Sequence, residues 1–200
     1  MFFKNPLIFW IITYLLRYFV RLKKTSAMRI IIAGAGAVGA HLGKMLSQGK
    51  HDIVLLDPLE EKLRNIGSNI DLMTLAGSGT SISDLTNAGV KRCDLLISVA
   101  KHEETNITAA ILGKKLGAKK TIARIDNEEY LFPNNREHFL NLGIDYLIYP
   151  EKIAAREIIG LINRTGSTEI VDFSGGKLSL LVIKLEENAP IIDKTLVEIT

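Results

Sequence analysis

The chain has 200 residues, of which 47% are hydrophobic and 24% charged, enough to bury a real core and unlike a disordered or low-complexity protein. Its single cysteine, Cys93, excludes an internal disulfide framework and fits a reducing compartment. The net charge of +3 is unevenly held: residues 1–27 carry five basic side chains and no acid, the remainder 20 basic and 22 acidic, so the body of the chain gives no support to nucleic-acid binding by bulk charge.

Residues 1–27 read unlike the rest. Pro6–Val20 is almost wholly apolar or aromatic, broken by Thr13 and Arg17. Its length as a helix, about 22 Å, falls short of the roughly 30 Å hydrocarbon core. The basic cluster Arg21, Lys23 and Lys24 follows the apolar run, which argues against a secretory signal. An inserted segment with that cluster would keep the downstream part cytoplasmic; an interfacial helix suits the same mixture. Equally, Met28 stands where a Rossmann protein would begin, and residues 1–27 then form an extension with no role in the fold.

From Met28 apolar runs and helical patterns alternate. Arg29–Ala33 reads as a strand, followed at once by Gly34-Ala35-Gly36-Ala37-Val38-Gly39 and a helical pattern over Val38–Leu46. Ile53–Leu56 is a second strand ending at Asp57, and Pro58 suits the first turn of a helix running to about Gly67. Asp71–Ala76 reads as a third strand, Gly77–Ser81 as a loop, and a short helix with Ile82 and Leu85 ends near Gly89. Cys93 precedes the fourth strand, Asp94–Val99, and reads as a small buried side chain; that strand is apolar enough to be covered on both faces. Ala100–Thr105 reads as a polar loop, Asn106–Leu116 as a helix, Thr121–Ile125 as a fifth strand, Glu128–Leu142 as helical in part, Tyr146–Ile148 as a sixth strand and Glu151–Arg164 as an amphipathic helix. After Gly166 the pattern changes. Two strands, Glu169–Phe173 and Leu178–Leu185, flank a turn at Ser174-Gly175-Gly176, and Asp193–Thr200 reads as the start of a helix.

The predicted fold class is therefore α/β: a doubly wound parallel Rossmann sheet over residues 28–166, then the start of a small α+β domain over 167–200, too short for its own core and truncated or completed by another chain. Right-handed crossovers put every strand tip on one edge. The glycine turn, Asp57, the Gly77–Ser81 and Ala100–Thr105 loops and the Arg124–Asp126 segment then share one crevice.

The glycine spacing has a chemical reading. Gly34 permits a tight turn, Gly36 lets a pyrophosphate approach the backbone, and Gly39 lets the helix pack closely. The free N–H groups and positive dipole end of that helix then face the phosphates. Asp57, 23 residues after Gly34, is placed to accept hydrogen bonds from ribose hydroxyls and to repel a 2′-phosphate, which favours NAD or an adenine nucleotide over NADP. A hydride-transfer enzyme would also need a proton donor. Of His41, His51, His102 and His138 only His102 lies at a strand tip. No Tyr-x-x-x-Lys pair exists, because Tyr146 is followed four residues later by Pro150 and Tyr149 by Ile153. No catalytic or metal-ligating set is expected, and the reading is of a non-enzyme.

Taken together, MRIIIAGAGAVGAHLGKML, VLLDP, GSGTSISDLTNAGV, CDLLISVAKHEETNI, TIARIDNEEY and IDYLIYPEKIAAREI resemble the nucleotide-binding regulatory subunits of Trk-type potassium uptake systems (TrkA-like), and more broadly the RCK or KTN domains. NAPIIDKTLVEI resembles the start of that family's C-terminal ligand-binding domain. The resemblance covers Met28 to Thr200. It implies a Rossmann domain sensing NAD(H), ATP or ADP, a homo-oligomer (dimer or tetramer) through the helix at Glu151–Arg164, a potassium-translocating membrane partner, and a cytoplasmic place at the inner face of the plasma membrane. By position it implies that Gly34, Gly36, Ala37, Val38 and Gly39 hold the phosphates and Asp57 the ribose. Gly77, Ser78, Gly79 and Thr80 would form a second ligand loop, with serine where the family usually has aspartate. Ala100 (usually threonine), Lys101, Glu104 and Asn106 would line a third, and Arg124 would face the phosphates. For Arg124 an ion pair with Asp126 or Glu128 is the competing reading, and for Glu103 and Glu104 it is complementation of the helix dipole. The functions left in competition are this sensor, the gating domain of a potassium channel, and an NAD-dependent oxidoreductase.

Overall fold

The protein was examined as a computed structural model, which describes residues 27–67, 70–162, 169–173, 178–182, 185, 189–192, 194–195 and 198. Residues 1–26, 174–177 and most of 193–200 fall outside these, and with them the readings made there. Two compact units are present, one reaching to Ala155 and the other from Arg156 onward.

Six parallel strands build the first unit: β1 (Arg29–Ala33), β2 (Asp52–Asp57), β3 (Met73–Ala76), β4 (Leu95–Ser98), β5 (Lys120–Arg124) and β6 (Tyr146–Ile148), in the order β3-β2-β1-β4-β5-β6. The helices between them are α1 (Ala37–Ser47), α2 (Glu60–Gly67), α3 (Ile82–Asn87), α4 (Glu103–Leu116) and α5 (Pro133–Asn141), with α6 (Pro150–Ile162) leaving β6. Alternate residues of each strand face opposite layers. Ile30 and Ile32 pack with Leu42, Leu63 and Ile153, from α1, α2 and α6. Ile31 packs with Leu85 and Leu112, from α3 and α4. Helices thus cover both faces, and all four residues of β4 are buried, as its continuous apolar run requires. The doubly wound Rossmann reading is borne out.

Several boundaries differ from the sequence reading for local reasons. Helix α4 begins at Glu103 and not Asn106, with His102 extended at its N-cap (φ −103°); Glu103 and Glu104 occupy its first turn, where carboxylates complement the dipole. Pro58 lies before α2, because Asp57 Oδ1 accepts the Leu59 amide at 2.9 Å and holds an Asx-type turn there. Strand β3 starts only at Met73, after a turn in which the Leu72 amide donates to Ile70 O. Cys93 is fully buried, and burial pushes its thiol up to about 11.

The second unit contains an antiparallel pair, β7 (Glu169–Phe173) and β8 (Leu178–Val182), with Val171 opposite Leu180. Among the described residues no helix is long and apolar enough to cross a membrane.

Candidate functional site

Strand order reverses between β1 and β4, the switch point where open α/β sheets bind ligands beyond their carboxyl ends. The glycine turn lies there, and its three glycines are needed for three different reasons. Gly34 adopts φ +111°, which disfavours any side chain, and a Cβ on it would lie 2.7 Å from the Ala100 amide nitrogen. A Cβ on Gly39 would stand 1.8 Å from Gly34 O; its smallness lets α1 press against the turn, and not simply against the sheet. Gly36 is exposed, and a Cβ there would meet nothing within 4 Å. As N-cap of α1 it offers no side-chain hydrogen bond, and the first turn holds no acid. The helix therefore presents amides and dipole toward an open space at Gly36, with Ala37 and Val38 beside it.

Asp57 is 4% exposed. Its Oδ2 accepts the Ala35 amide at 2.7 Å and its Oδ1 the Leu59 amide, with Lys62 Nζ 3.5 Å from Oδ2. The carboxylate thus fixes the glycine turn from the tip of the neighbouring strand, and its remaining lone pairs are what a ribose hydroxyl could use.

Asp84 of α3 holds the second loop by accepting the Ser78 amide at 2.8 Å. Ser78 Oγ lies 2.8 Å from Thr80 Oγ1 and accepts the Thr80 amide at 3.2 Å. A Cβ on Gly77 would meet Asp84 Cγ at 2.8 Å, and one on Gly79 would meet Ala33 Cβ at 3.0 Å. The loop is therefore seated against the end of β1 and shares the crevice with the glycine turn.

Asn106 is 1% exposed. Its Oδ1 accepts Ser98 Oγ at 3.0 Å and the Ala100 amide at 2.7 Å; its Nδ2 donates to Ala100 O and Arg124 O, both at 3.1 Å. All four hydrogen-bonding positions of the amide are used inside the protein. Asn106 therefore frames the site by clamping the tips of β4 and β5, and is not positioned to touch a ligand. Lys101 and Glu104 are exposed above it. Arg124 is 3.2 Å from both Asp126 and Glu151, so the ion-pair reading holds for the unliganded protein, with Glu151 as the partner the sequence did not suggest. Glu128 pairs with Lys152 instead.

Two further residues organise the site: Asp84, which was not singled out from sequence, and Glu103, for which the sequence readings were a ligand contact or complementation of the helix dipole. Glu103 Oε2 accepts the amides of Asp126 and Asn127 at 2.8 and 3.0 Å, latching the loop after β5 onto α4. Asp84 could have been found: Ser81-x-x-Asp84 has capping-box spacing, and Ser81 Oγ accepts the Asp84 amide. Glu103 carries no comparable local signal, because its partners lie 23 and 24 residues away. The histidines do not gather here. His51 Nδ1 accepts the Met28 amide at the opposite edge of the sheet, while His102 is an exposed N-cap.

A family model, the TrkA-N domain, matches residues 30–150. The chain is 35% identical over 173 residues to a protein of Archaeoglobus fulgidus named Trk system potassium uptake protein TrkA homolog, covering 86% of this chain and 39% of the relative. The chain thus spans about two-fifths of that relative's length. Among solved structures, GsuK bound to ADP superposes with TM-score 0.59 at 22% identity, over 78% of this chain and 39% of that one. The GsuK channel bound to NAD gives 0.52 at 15%, over 70% and 26%; at such identities these show the fold alone. The matched span runs from β1 to the start of α6 and so takes in the whole crevice, and the chain belongs to the TrkA-N family.

Proposed function

We propose that this chain is a nucleotide-sensing regulatory domain that binds NAD(H), ATP or ADP at the carboxyl edge of its sheet and controls potassium movement through a membrane subunit. The observation that carries this is the open space at Gly36, in front of an α1 N-terminus with no capping side chain and no acid. Phosphates fit there, held by the amides of the Gly34–Gly39 turn, while Asp57 accepts the ribose hydroxyls. The Gly77–Thr80 loop and Ala100–Lys101 enclose the remainder of the nucleotide. Arg124 reaches a phosphate by exchanging one of its two acidic partners. The GsuK neighbours, one with ADP and one with NAD, support this ligand class, and the A. fulgidus relative's name supports potassium uptake as the process.

In this reading the chain senses and does not transform its ligand. Regulation needs two states with different affinities for two nucleotides, since a ligand that binds both equally shifts nothing. The domain acts as a homo-oligomer on the cytoplasmic side, peripheral to the inner membrane face and against the potassium-translocating subunit. Calorimetric titration of the full chain with NAD, NADH, ATP and ADP tests the proposal. Micromolar binding of at least two of them with unequal affinities is expected, and NADH should remain unoxidised in the presence of aldehydes and 2-oxo acids. Hydride transfer to any of these, or no binding at all, would overturn it.

A further inference from the structure

Charge is sorted along the strands. The carboxyl ends, around the crevice, carry Asp57, Asp84, Glu103, Glu104 and Asp126, with Lys62, Lys101 and Arg124 among them. The amino ends carry a contiguous group of cations. Lys91 and Arg92 lie in a 3-10 turn before β4, Lys114 and Lys115 at the end of α4, and Lys119 and Lys120 at the start of β5. These segments touch one another: Lys114 Nζ donates to Lys119 O at 2.8 Å, the Lys119 amide to Cys93 O at 3.0 Å, and a Cβ on Gly117 would lie 3.3 Å from Lys91 Cα. Asp94 and Asp145 offset part of this charge, through Lys119 and through Lys114 and Lys120, and farther along the same edge Asp52 pairs with Arg29 and Asp71 is exposed before β3. Lys91, Arg92 and Lys115 are exposed, and the Lys119 side chain is 74% exposed despite its ion pair. Complementation of helix dipoles accounts for Lys114 and Lys115 but not for the cations on β5 or before β4.

The chain enters the fold at this same edge. The Arg29 amide, first in β1, donates at 2.9 Å to Asp94 Oδ2, whose other oxygen holds Lys119. Arg21, Lys23 and Lys24 lie four to seven residues before Met28 in the sequence. Beyond them is the apolar and aromatic run Pro6–Val20. A single marginal apolar segment anchors weakly, and a basic surface supplies the second signal.

We infer that the amino edge of the sheet, around Lys91, Arg92, Lys115 and Lys119, is a docking surface for an anionic lipid bilayer. The inference rests on the membrane-side location proposed above and adds the face that meets the lipid. The test is co-sedimentation of the full chain with vesicles of phosphatidylcholine, alone or with roughly one-third phosphatidylglycerol, at about 0.05 and 0.3 M salt. The wild type is expected to bind the anionic vesicles preferentially and to weaken in salt. Lys91→Glu/Arg92→Glu/Lys115→Glu should weaken that partition about tenfold or more, at unchanged nucleotide affinity. If this variant melts early, the three glutamine substitutions replace it, with a smaller loss in the same direction. Equal binding to neutral vesicles, unchanged partition of the variants, or tighter binding of a short oligonucleotide than of vesicles would each overturn the inference. Nucleotide titration of the same samples reads the sensing function separately.

Discussion

Asn106 commits both ends of its amide to neighbouring loops, and Gly36 commits nothing to any. The two residues came from one sequence argument as candidate ligand contacts, yet their environments separate them. Asn106→Ala leaves the Ala100 and Arg124 groups unsatisfied in a buried place, and should lower unfolding free energy by about 2–4 kcal/mol in urea denaturation, with nucleotide binding lost as a consequence. Gly36→Asp is expected to do the opposite to the fold. The backbone at position 36 is extended (φ −72°, ψ −173°) with open space around it, and aspartate is a better N-cap than glycine by a few tenths of a kcal/mol. The unliganded protein should melt no earlier, while calorimetry should show nucleotide affinity reduced more than tenfold by a carboxylate facing the phosphates. Sequence could name both residues but not divide their roles. Spacing reports which loop a side chain joins, whereas its partners are fixed by strand tips 18 residues away.

At the scale of elements, the first turn of α4 is where the sequence reading and the structure part most. A polar stretch after an apolar strand reads as loop, and Glu103 and Glu104 contribute to that polarity; the helix dipole makes the same acids favourable as its opening residues. Glu103 then does more than start the helix, because it binds the two amides that begin the loop after β5. Glu103→Ala should leave the core intact while speeding amide hydrogen exchange at Asp126 and Asn127 about tenfold, with little change at Ile122 or Ala123 inside β5. Unchanged exchange at 126 and 127 would show that the loop is held by other means. The elements that sequence located well, β1, β2 and the buried β4, are those whose apolar runs are long relative to their polar flanks.

Across the molecule, ion pairs fasten the amino edge. Asp145 receives Lys114, Lys120 and the Thr121 amide. Burial alone would raise its pKa; the hydrogen bonds from Lys114, Lys120 and Thr121 outweigh burial and hold the carboxyl below the usual carboxylate range. Because the folded pKa is the lower one, the stabilisation is complete above the ordinary value, near pH 4, and fades as pH falls through the folded value. Asp145→Asn should therefore cost about 1–2 kcal/mol at neutral pH, and chemical denaturation below about pH 4 should show the difference shrinking. The fold class was legible because alternating runs and glycine punctuation specify a βαβ succession without any long-range information. The sorting of charge between the two edges was not, since it appears only when Lys91, Lys115 and Lys119 are brought side by side.

Helix α4 touches both ends of this arrangement. Its fourteen residues make a rod about 21 Å long. Glu103 and Asn106 at one end grip the loops of the crevice; Lys114 and Lys115 at the other belong to the cationic edge. The loops are tied to the rod by side-chain hydrogen bonds from Glu103 and Asn106, so a shift of Ala100 or Asp126 has two outcomes: those bonds break, or the shaft follows. In the second case Lys114 and Lys115 move with it, and a change at the crevice is carried to the opposite edge of the sheet.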